Sequence, residues 1–146
     1  MNWQEKVLKT PSQIKELLET VKNIAVLGIK PETHSSQPAF YVSKYMAKAG
    51  YEIIPVPVYY PDVTEILGRK VYRNLEDVPG GIDLLNVFRR REDIPKHTSE
   101  ILAKKPKAVW FQLGIRNDEV AETLAKAGIQ VVQDLCLMVE HRTLMR

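Results

Sequence analysis

The sequence has one cysteine, three histidines and two tryptophans among 146 residues. A lone cysteine, Cys136, leaves no intramolecular disulfide and no cysteine-built zinc site, and a reducing compartment such as the cytoplasm is the simplest setting. The histidines, His34, His97 and His141, form no HxxxH pair and no His–carboxylate spacing of the kind that grips a metal. Long apolar runs are missing too. Ile24–Gly28 and Ile53–Val58 fall far short of the roughly 20 residues that cross a bilayer. Met1 to Lys9 mixes charged and apolar residues and does not read as a signal peptide. A concentrated basic stripe is likewise absent. The net charge is +3, and bases stand among acids, as in Arg89-Arg90-Arg91-Glu92-Asp93. A nucleic-acid binder gathers its bases into a patch, so neither nucleic acid nor membrane is an expected partner, whereas a small anion suits the balance.

Two phosphate-binding signatures are also missing. After Gly28 come Ile29, Lys30, Pro31, Glu32 and Thr33, with no second glycine for G-x-G-x-x-G, and no G-x-x-x-x-G-K-[ST] occurs. At the end of the second predicted strand, where an NAD site places an acid for the ribose hydroxyls, the chain has Pro57, Val58, Tyr59 and Tyr60.

What is present is ordinary for a soluble globular protein: 45% hydrophobic and 27% charged residues. Thr10-Pro11-Ser12 opens a helix to about Val21, with Ile14, Leu17, Leu18 and Val21 on one face. Strands are predicted at Asn23–Gly28, Tyr51–Val58, Asp83–Phe88, Lys107–Leu113 and Ile129–Gln133, with a short extended piece at Lys70–Arg73. Helices are predicted at Ser36–Ala49, Ile94–Lys104 and Asn117–Ala127, and a last one near Asp134. Strands and helices alternate, and the middle strands are apolar throughout. That pattern predicts an α/β fold: a Rossmann-like, doubly wound parallel sheet of about five strands, with helices on both faces in three layers. Ligands of such sheets lie at the carboxyl ends of the strands, here Gly28–Ser36, Pro57–Pro61, Phe88–Glu92 and Gln112–Arg116.

At the first of these places two readings stand. Gly28 lets the chain turn closely over a ligand, and Ser35 or Ser36 caps a helix whose free amides favour phosphate; or the loop is an ordinary capped connection. Arg89 and Arg90 either bind phosphate through guanidinium forks or belong to a solvated charge run. Cys136 is either a thiol activated at a helix N-terminus or a buried structural residue.

The motifs IAVLGI (24–29), PAFYVSKYMAKAGYEIIPV (38–56), EILGRKVYRNLEDVP (65–79), IDLLNVFRR (82–90), VWFQLGI (109–115) and DLCLMVEHRTL (134–144) resemble, in order and spacing, the coenzyme A-binding domain family. Its fold is shared with the N-terminal domain of the succinyl-CoA synthetase α subunit. The similarity runs from about Ser12 to Arg142 and is greatest to small stand-alone members. It implies one coenzyme A-binding domain over residues 1–146, with 1–22 as an N-terminal helical segment packed on it. It also implies that Gly28, Ile29, Lys30, His34, Ser35 and Ser36, with Pro38 and Tyr41 beyond them, cradle the diphosphate of coenzyme A or an acyl-CoA. Val56, Pro57, Tyr59, Phe88, Arg89 and Arg90 would flank the nucleotide, and Gln112, Leu113 and Gly114 would line the pantetheine path. Where the family usually has Asn-Pro and a base after the second strand, this chain has Pro57-Val58-Tyr59, which offers a ring for adenine to stack on. Leu135 and Met138 stand where members often carry Arg and Lys.

In the synthetases of this fold, acyl transfer uses a phosphohistidine on a second domain and a nucleotide-binding partner subunit, and neither fits 146 residues. The expected function is therefore binding of coenzyme A or an acyl-CoA, non-catalytic or regulatory. The alternative is an enzyme, either a nicotinamide-dependent oxidoreductase or an acyl transferase using Cys136. Two further expectations concern side chains: Gly28→Val is expected to block the ligand while sparing the fold, and Arg91 to behave as plain surface.

Overall fold

The computed structural model describes residues 2–145. In chain order its strands are β1 (Asn23–Leu27), β2 (Glu52–Val56), β3 (Glu65–Ile66), β4 (Arg69–Lys70), β5 (Leu84–Val87), β6 (Ala108–Phe111) and β7 (Gln130–Val132). Its α-helices are α1 (Pro11–Thr20), α2 (Pro38–Lys48), α3 (Thr98–Lys104), α4 (Asp118–Lys126) and α5 (Leu137–Leu144). Five strands make a parallel sheet in the order β2-β1-β5-β6-β7, and β3 and β4 form a separate antiparallel hairpin.

Successive residues of each strand point to opposite faces, and both faces are covered. Ile24, Val26, Leu84, Trp110 and Val132 pack with Ile14, Leu17 and Leu18 of α1, Phe40 and Met46 of α2, and Leu137 of α5. Leu27, Leu85, Val87 and Phe111 face the other way, onto Ile101 of α3 and Val120 and Leu124 of α4. This is the three-layer Rossmann-like arrangement that the continuous apolar strands predict. Strand order reverses between β1 and β5, the two neighbours whose connections leave in opposite directions.

Each outer strand carries a backbone contact on its free side. β2 is an edge strand and therefore tolerates Pro55; its carbonyl accepts the Tyr72 amide at 2.9 Å. On the far side Val7 pairs with Val131 of β7, and the Leu8 amide donates to the Val131 carbonyl at 2.8 Å. Asn86, in the middle of β5, and Ser43, on α2, carry buried polar side chains with no hydrogen-bond partner.

The structure shifts several predicted boundaries. α1 starts as read, with a capping box between Thr10 and Gln13 and Pro11 in its first turn. α2 starts at Pro38, with Gln37 in the cap position and no side-chain cap, so neither Ser35 nor Ser36 closes it. The predicted helix Ile94–Lys104 is a 3-10 run, Arg91–His97, followed by α3. Pro95 lies inside that run and cannot donate a backbone hydrogen bond. α5 starts at Leu137 rather than near Asp134, whose φ of 59° is left-handed. Leu67 and Gly68, at φ 54° and 71°, make the tight turn of the β3–β4 hairpin; the sequence shows only its flank, Lys70–Arg73.

At the amino ends of β1 and β5 a reciprocal polar clip fixes the register. Asp83 Oδ2 accepts the Lys22 and Asn23 amides at 2.9 and 3.2 Å, and Asn23 Oδ1 accepts the Asp83 amide at 2.7 Å. Burial opposes ionisation of Asp83, but the two amides and Lys107 outweigh it and hold the carboxyl below its ordinary value. A depressed carboxyl stabilises the fold above its unfolded value and loses that contribution as pH falls through the folded one. Asp83→Ala is therefore expected to cost about 1.5–3 kcal/mol at pH 7, the range for hydrogen bonds to a charged group. In urea titrations the gap from the parent narrows below about pH 4, where the parent's carboxyl also protonates.

Candidate ligand-binding crevice

A crevice of about 630 Å³ opens at the carboxyl ends of β1, β5 and β6, where the strand order reverses. That volume lies within the range of small-molecule sites. One wall is the loop after β1 and the start of α2: Gly28, Lys30, Gln37, Pro38, Ala39 and Tyr41. The second follows β5: Phe88, Arg89, Arg90, Arg91 and Glu92. The third joins the turn after β6 to the residue before α5: Gln112, Leu113, Gly114, Ile115 and Cys136. The crevice is cationic on one side and largely apolar on the other.

The β1 and β5 walls meet at Gly28. Its φ is 87°, and a Cβ placed there would stand 2.3 Å from the Phe88 carbonyl oxygen and 3.3 Å from Arg89 Cδ. Glycine is therefore needed for strand-to-strand packing, and the space a side chain would invade belongs to the protein. The Gly28 amide donates to the Val56 carbonyl and the Phe88 amide to the Leu27 carbonyl, which carries the sheet ladder to the crevice rim.

Arg89 emerges directly beyond β5 and is only 9% exposed. Nε donates to His97 Nε2 at 3.1 Å, Nη1 lies 3.4 Å from the Tyr59 hydroxyl, and Nη2 lies 3.9 Å from Asp93 Oδ2. Its guanidinium also stands over the Tyr59 ring, 5.5 Å from the centroid. The hydrogen bond from Arg89 pulls the Tyr59 phenol below its ordinary pKa. Asp93 is buried and is shared by Arg90 at 3.0 Å and Lys96 at 3.2 Å; those hydrogen bonds, Arg90's first, hold its carboxyl below the usual range. Arg90 itself is exposed and leans on Asp93 and Glu92.

The third wall is fixed by two side chains. Asp134 Oδ1 accepts the Gly114 amide at 2.7 Å, and Gln112 Oε1 accepts the Leu137 amide at 3.4 Å, at the first residue of α5. Cys136 occupies the cap position of α5, partly exposed to the crevice. The three imidazoles are engaged elsewhere: His34 with Thr33 and Tyr60, His97 with Arg89 and Glu100, and His141 with Tyr45. Burial pushes His141 below its ordinary pKa. Among the described residues no group of three or more His, Cys, Asp or Glu side chains could hold a metal ion, and no helix is long and apolar enough to cross a membrane.

Of the residues singled out in the sequence, the crevice gathers Gly28, Lys30, Pro38, Tyr41, Phe88, Arg89, Arg90, Gln112, Leu113 and Gly114. Ile29, Val56 and Pro57 are buried beneath it, and Ser35 and Ser36 are exposed on the turn before α2. His34 lies under the Tyr60 ring, and Tyr59 stands behind Arg89 with 61% exposure. Arg91, expected to be plain surface, lines the crevice. The sequence reading also misses Gln37, which accepts a hydrogen bond from Lys30 Nζ, and Arg73, whose guanidinium donates to the carbonyls of Tyr59, Tyr60, Pro61 and Val63. No local signal marks Arg73, since its acceptors are backbone atoms ten or more residues away.

Comparison with known proteins gives a consistent picture. The family described as "CoA binding domain" matches residues 22–142. An uncharacterized Bacillus subtilis (strain 168) protein, YneT, is 40% identical over 136 residues, covering 92% of this chain and 97% of its own. A solved Thermus thermophilus protein, cell-free ID.343, superposes with a TM-score of 0.85 at 38% identity, covering 93% of this chain and 99% of its own. A hypothetical protein from Pyrococcus horikoshii OT3 gives 0.84 at 32% identity, with 94% of each chain covered.

Gly28 supplies a test of how the crevice is built. A non-glycine residue at this φ costs about 1–2 kcal/mol before any collision, and here the Cβ meets backbone, which cannot swing aside. Gly28→Ala and Gly28→Val are both expected to lower the unfolding midpoint, Val more. The expectation that Gly28→Val spares the fold is thereby corrected, and thermal unfolding without ligand distinguishes the two outcomes.

Proposed function

The chain belongs to the CoA-binding domain family, and from that membership we propose that the crevice binds coenzyme A or an acyl-CoA as a ligand, without turning it over. The observation that carries this reading is the division of the crevice: Lys30 and Arg89–Arg91 on one side, Leu113, Gly114, Ile115 and Cys136 on the other. Coenzyme A has the same division, with a phosphorylated nucleotide at one end and a neutral pantetheine arm at the other. Arg89 lines the crevice and its guanidinium is held by His97 and Tyr59, so little side-chain freedom is lost when a phosphate meets it. The first turn of α2 adds a helix N-terminus beside the same loop, and helix amides and dipole favour an anion there.

Phe88 flanks the nucleotide in this reading, with Tyr59 backing Arg89, and the pantetheine arm follows the turn 112–114 toward Cys136. A cytoplasmic setting goes with it. A thiol-dependent transferase needs a base beside Cys136, and the engagement of all three imidazoles elsewhere favours the binding role.

Calorimetry with coenzyme A and NAD tests the assignment: coenzyme A is expected to bind, and tighter binding of NAD would overturn it. Arg89→Ala should cost about 1.5–3 kcal/mol in binding, and Arg89→Lys should recover only part, since an ammonium does not reproduce the fork. Arg90, exposed and already paired with Asp93, should cost clearly less than Arg89 when replaced by Ala. If Arg89 meets the 3′-phosphate, dephospho-coenzyme A shows no loss on its removal. If Arg89 meets the diphosphate, both ligands lose equally.

A further inference from the structure

Arg89 is joined to a chain of side chains that leads away from the crevice. Its Nε donates to His97 Nε2, His97 Nδ1 lies 3.2 Å from Glu100 Oε2, and Glu100 Oε1 accepts the Leu75 amide at 3.2 Å. The direction of each bond follows from chemistry. A guanidinium only donates and keeps its charge throughout the ordinary pH range, so His97 Nε2 must present a lone pair. The imidazole is then neutral, its hydrogen is on Nδ1, and that hydrogen goes to the Glu100 carboxylate. Glu100 is itself fixed by backbone, which sets the plane of the ring.

A proton on Nε2 breaks this arrangement. Two cations would then face each other, hydrogen to hydrogen, across 3.1 Å, and with side chains only 9% and 13% exposed there is little water to screen them. Arg89 is the one that yields, because Glu100 holds the imidazolium more strongly than it holds the neutral ring. The remaining charges near the pair do not restore the contact. Asp93 lies 3.9 Å from Arg89 and is already shared with Arg90 and Lys96, Tyr59 offers a hydroxyl, and Glu76 and Asp77, on the turn packed against α3, are exposed.

We propose that His97, oriented by Glu100, is a positioning residue: in its neutral form it holds the Arg89 fork in the crevice wall, so that anion binding there weakens when His97 gains a proton. The proposal rests on the reading of the crevice as a coenzyme A site. Its sign sets it apart from simple electrostatics, since a new positive charge beside an anion would ordinarily tighten binding.

Coenzyme A affinity measured by calorimetry from pH 8 to pH 5.5 tests it in the parent, His97→Gln and His97→Ala. Gln keeps an acceptor for Arg89 and a donor for Glu100 but has no titratable proton, so it also records the weakening due to the ligand's own phosphate protonating near pH 6. His97→Gln should keep most of the parent's affinity at pH 8, whereas His97→Ala should lose it roughly tenfold, the equivalent of one charge-assisted hydrogen bond. On acidification the parent should lose about tenfold more affinity than His97→Gln. Equal affinities of the parent, His97→Gln and His97→Ala at pH 8 overturn the positioning role. Superimposable pH profiles for the parent and His97→Gln overturn its dependence on protonation. Either result leaves the coenzyme A reading standing. Failure of the parent to bind coenzyme A at pH 8 overturns both. Imidazole nitrogen shifts of the ligand-free protein give a separate check: a protonated Nε2 at pH 8 sinks the proposal whatever the ligand does.

Discussion

The molecule depends on one close approach, that of the β1 end to the β5 end at Gly28. The Phe88 carbonyl sits where any other residue would place its Cβ, so the two central strands run together right up to the rim of the sheet. That contact puts the loop after β1 and the segment after β5 side by side, and between them they supply two of the crevice's three walls. The third wall follows from β6, whose register beside β5 carries Gln112 and Gly114 to the same level. A shift of one residue in the β1–β5 register would turn Val26 and Leu27 to the wrong faces and part the walls. The Asp83–Asn23 clip at the opposite end of these strands resists that slip.

The charge on the crevice wall is arranged with comparable economy. An isolated buried guanidinium would be prohibitively costly, and Arg89 avoids that by leaning on an imidazole, a phenol and a shared carboxylate. None of these contacts is a short bidentate pair. Arg89 is satisfied enough to stay folded into the wall yet is not locked into an ion pair that a phosphate would have to break. Arg90 takes the tighter place on Asp93 and so leaves Arg89 the looser one. The two adjacent arginines, alike in the sequence, divide into one that faces the ligand space from within the wall and one that neutralises its support.

The layers and most of the crevice can be read from the sequence because their signals are local. Continuous apolar runs at 24–27 and 108–111, and one broken only by Asn86 at 84–87, mean strands buried on both faces, and a ligand crevice follows from where such strands end. What the sequence conceals is set by partners distant along the chain. Asp134 looks like a helix start but serves the Gly114 amide, twenty residues back. Arg73 looks like part of a strand yet fixes the loop that carries Tyr59. His97 looks like a surface helix residue, and only folding brings it to Arg89. Gly28 reads from its position as a turn that lets a ligand approach, but the atom that requires a glycine there, the Phe88 carbonyl, comes from sixty residues later.

The covered sides of β2 and β7 have a consequence for how the molecule can meet others. Strand addition, by which sheet proteins can join or aggregate, needs a row of vacant backbone groups, and here the Tyr72 amide already takes the Pro55 carbonyl of β2 and Val7–Leu8 already pair with Val131 of β7. Another chain that tried to extend the sheet would have to peel away a piece of this one first. Of the large apolar side chains exposed among the described residues, Tyr41, Tyr59, Leu113 and Val139, the first and third line the crevice. A molecule filling the crevice would therefore lie against two of these exposed side chains and take them out of water.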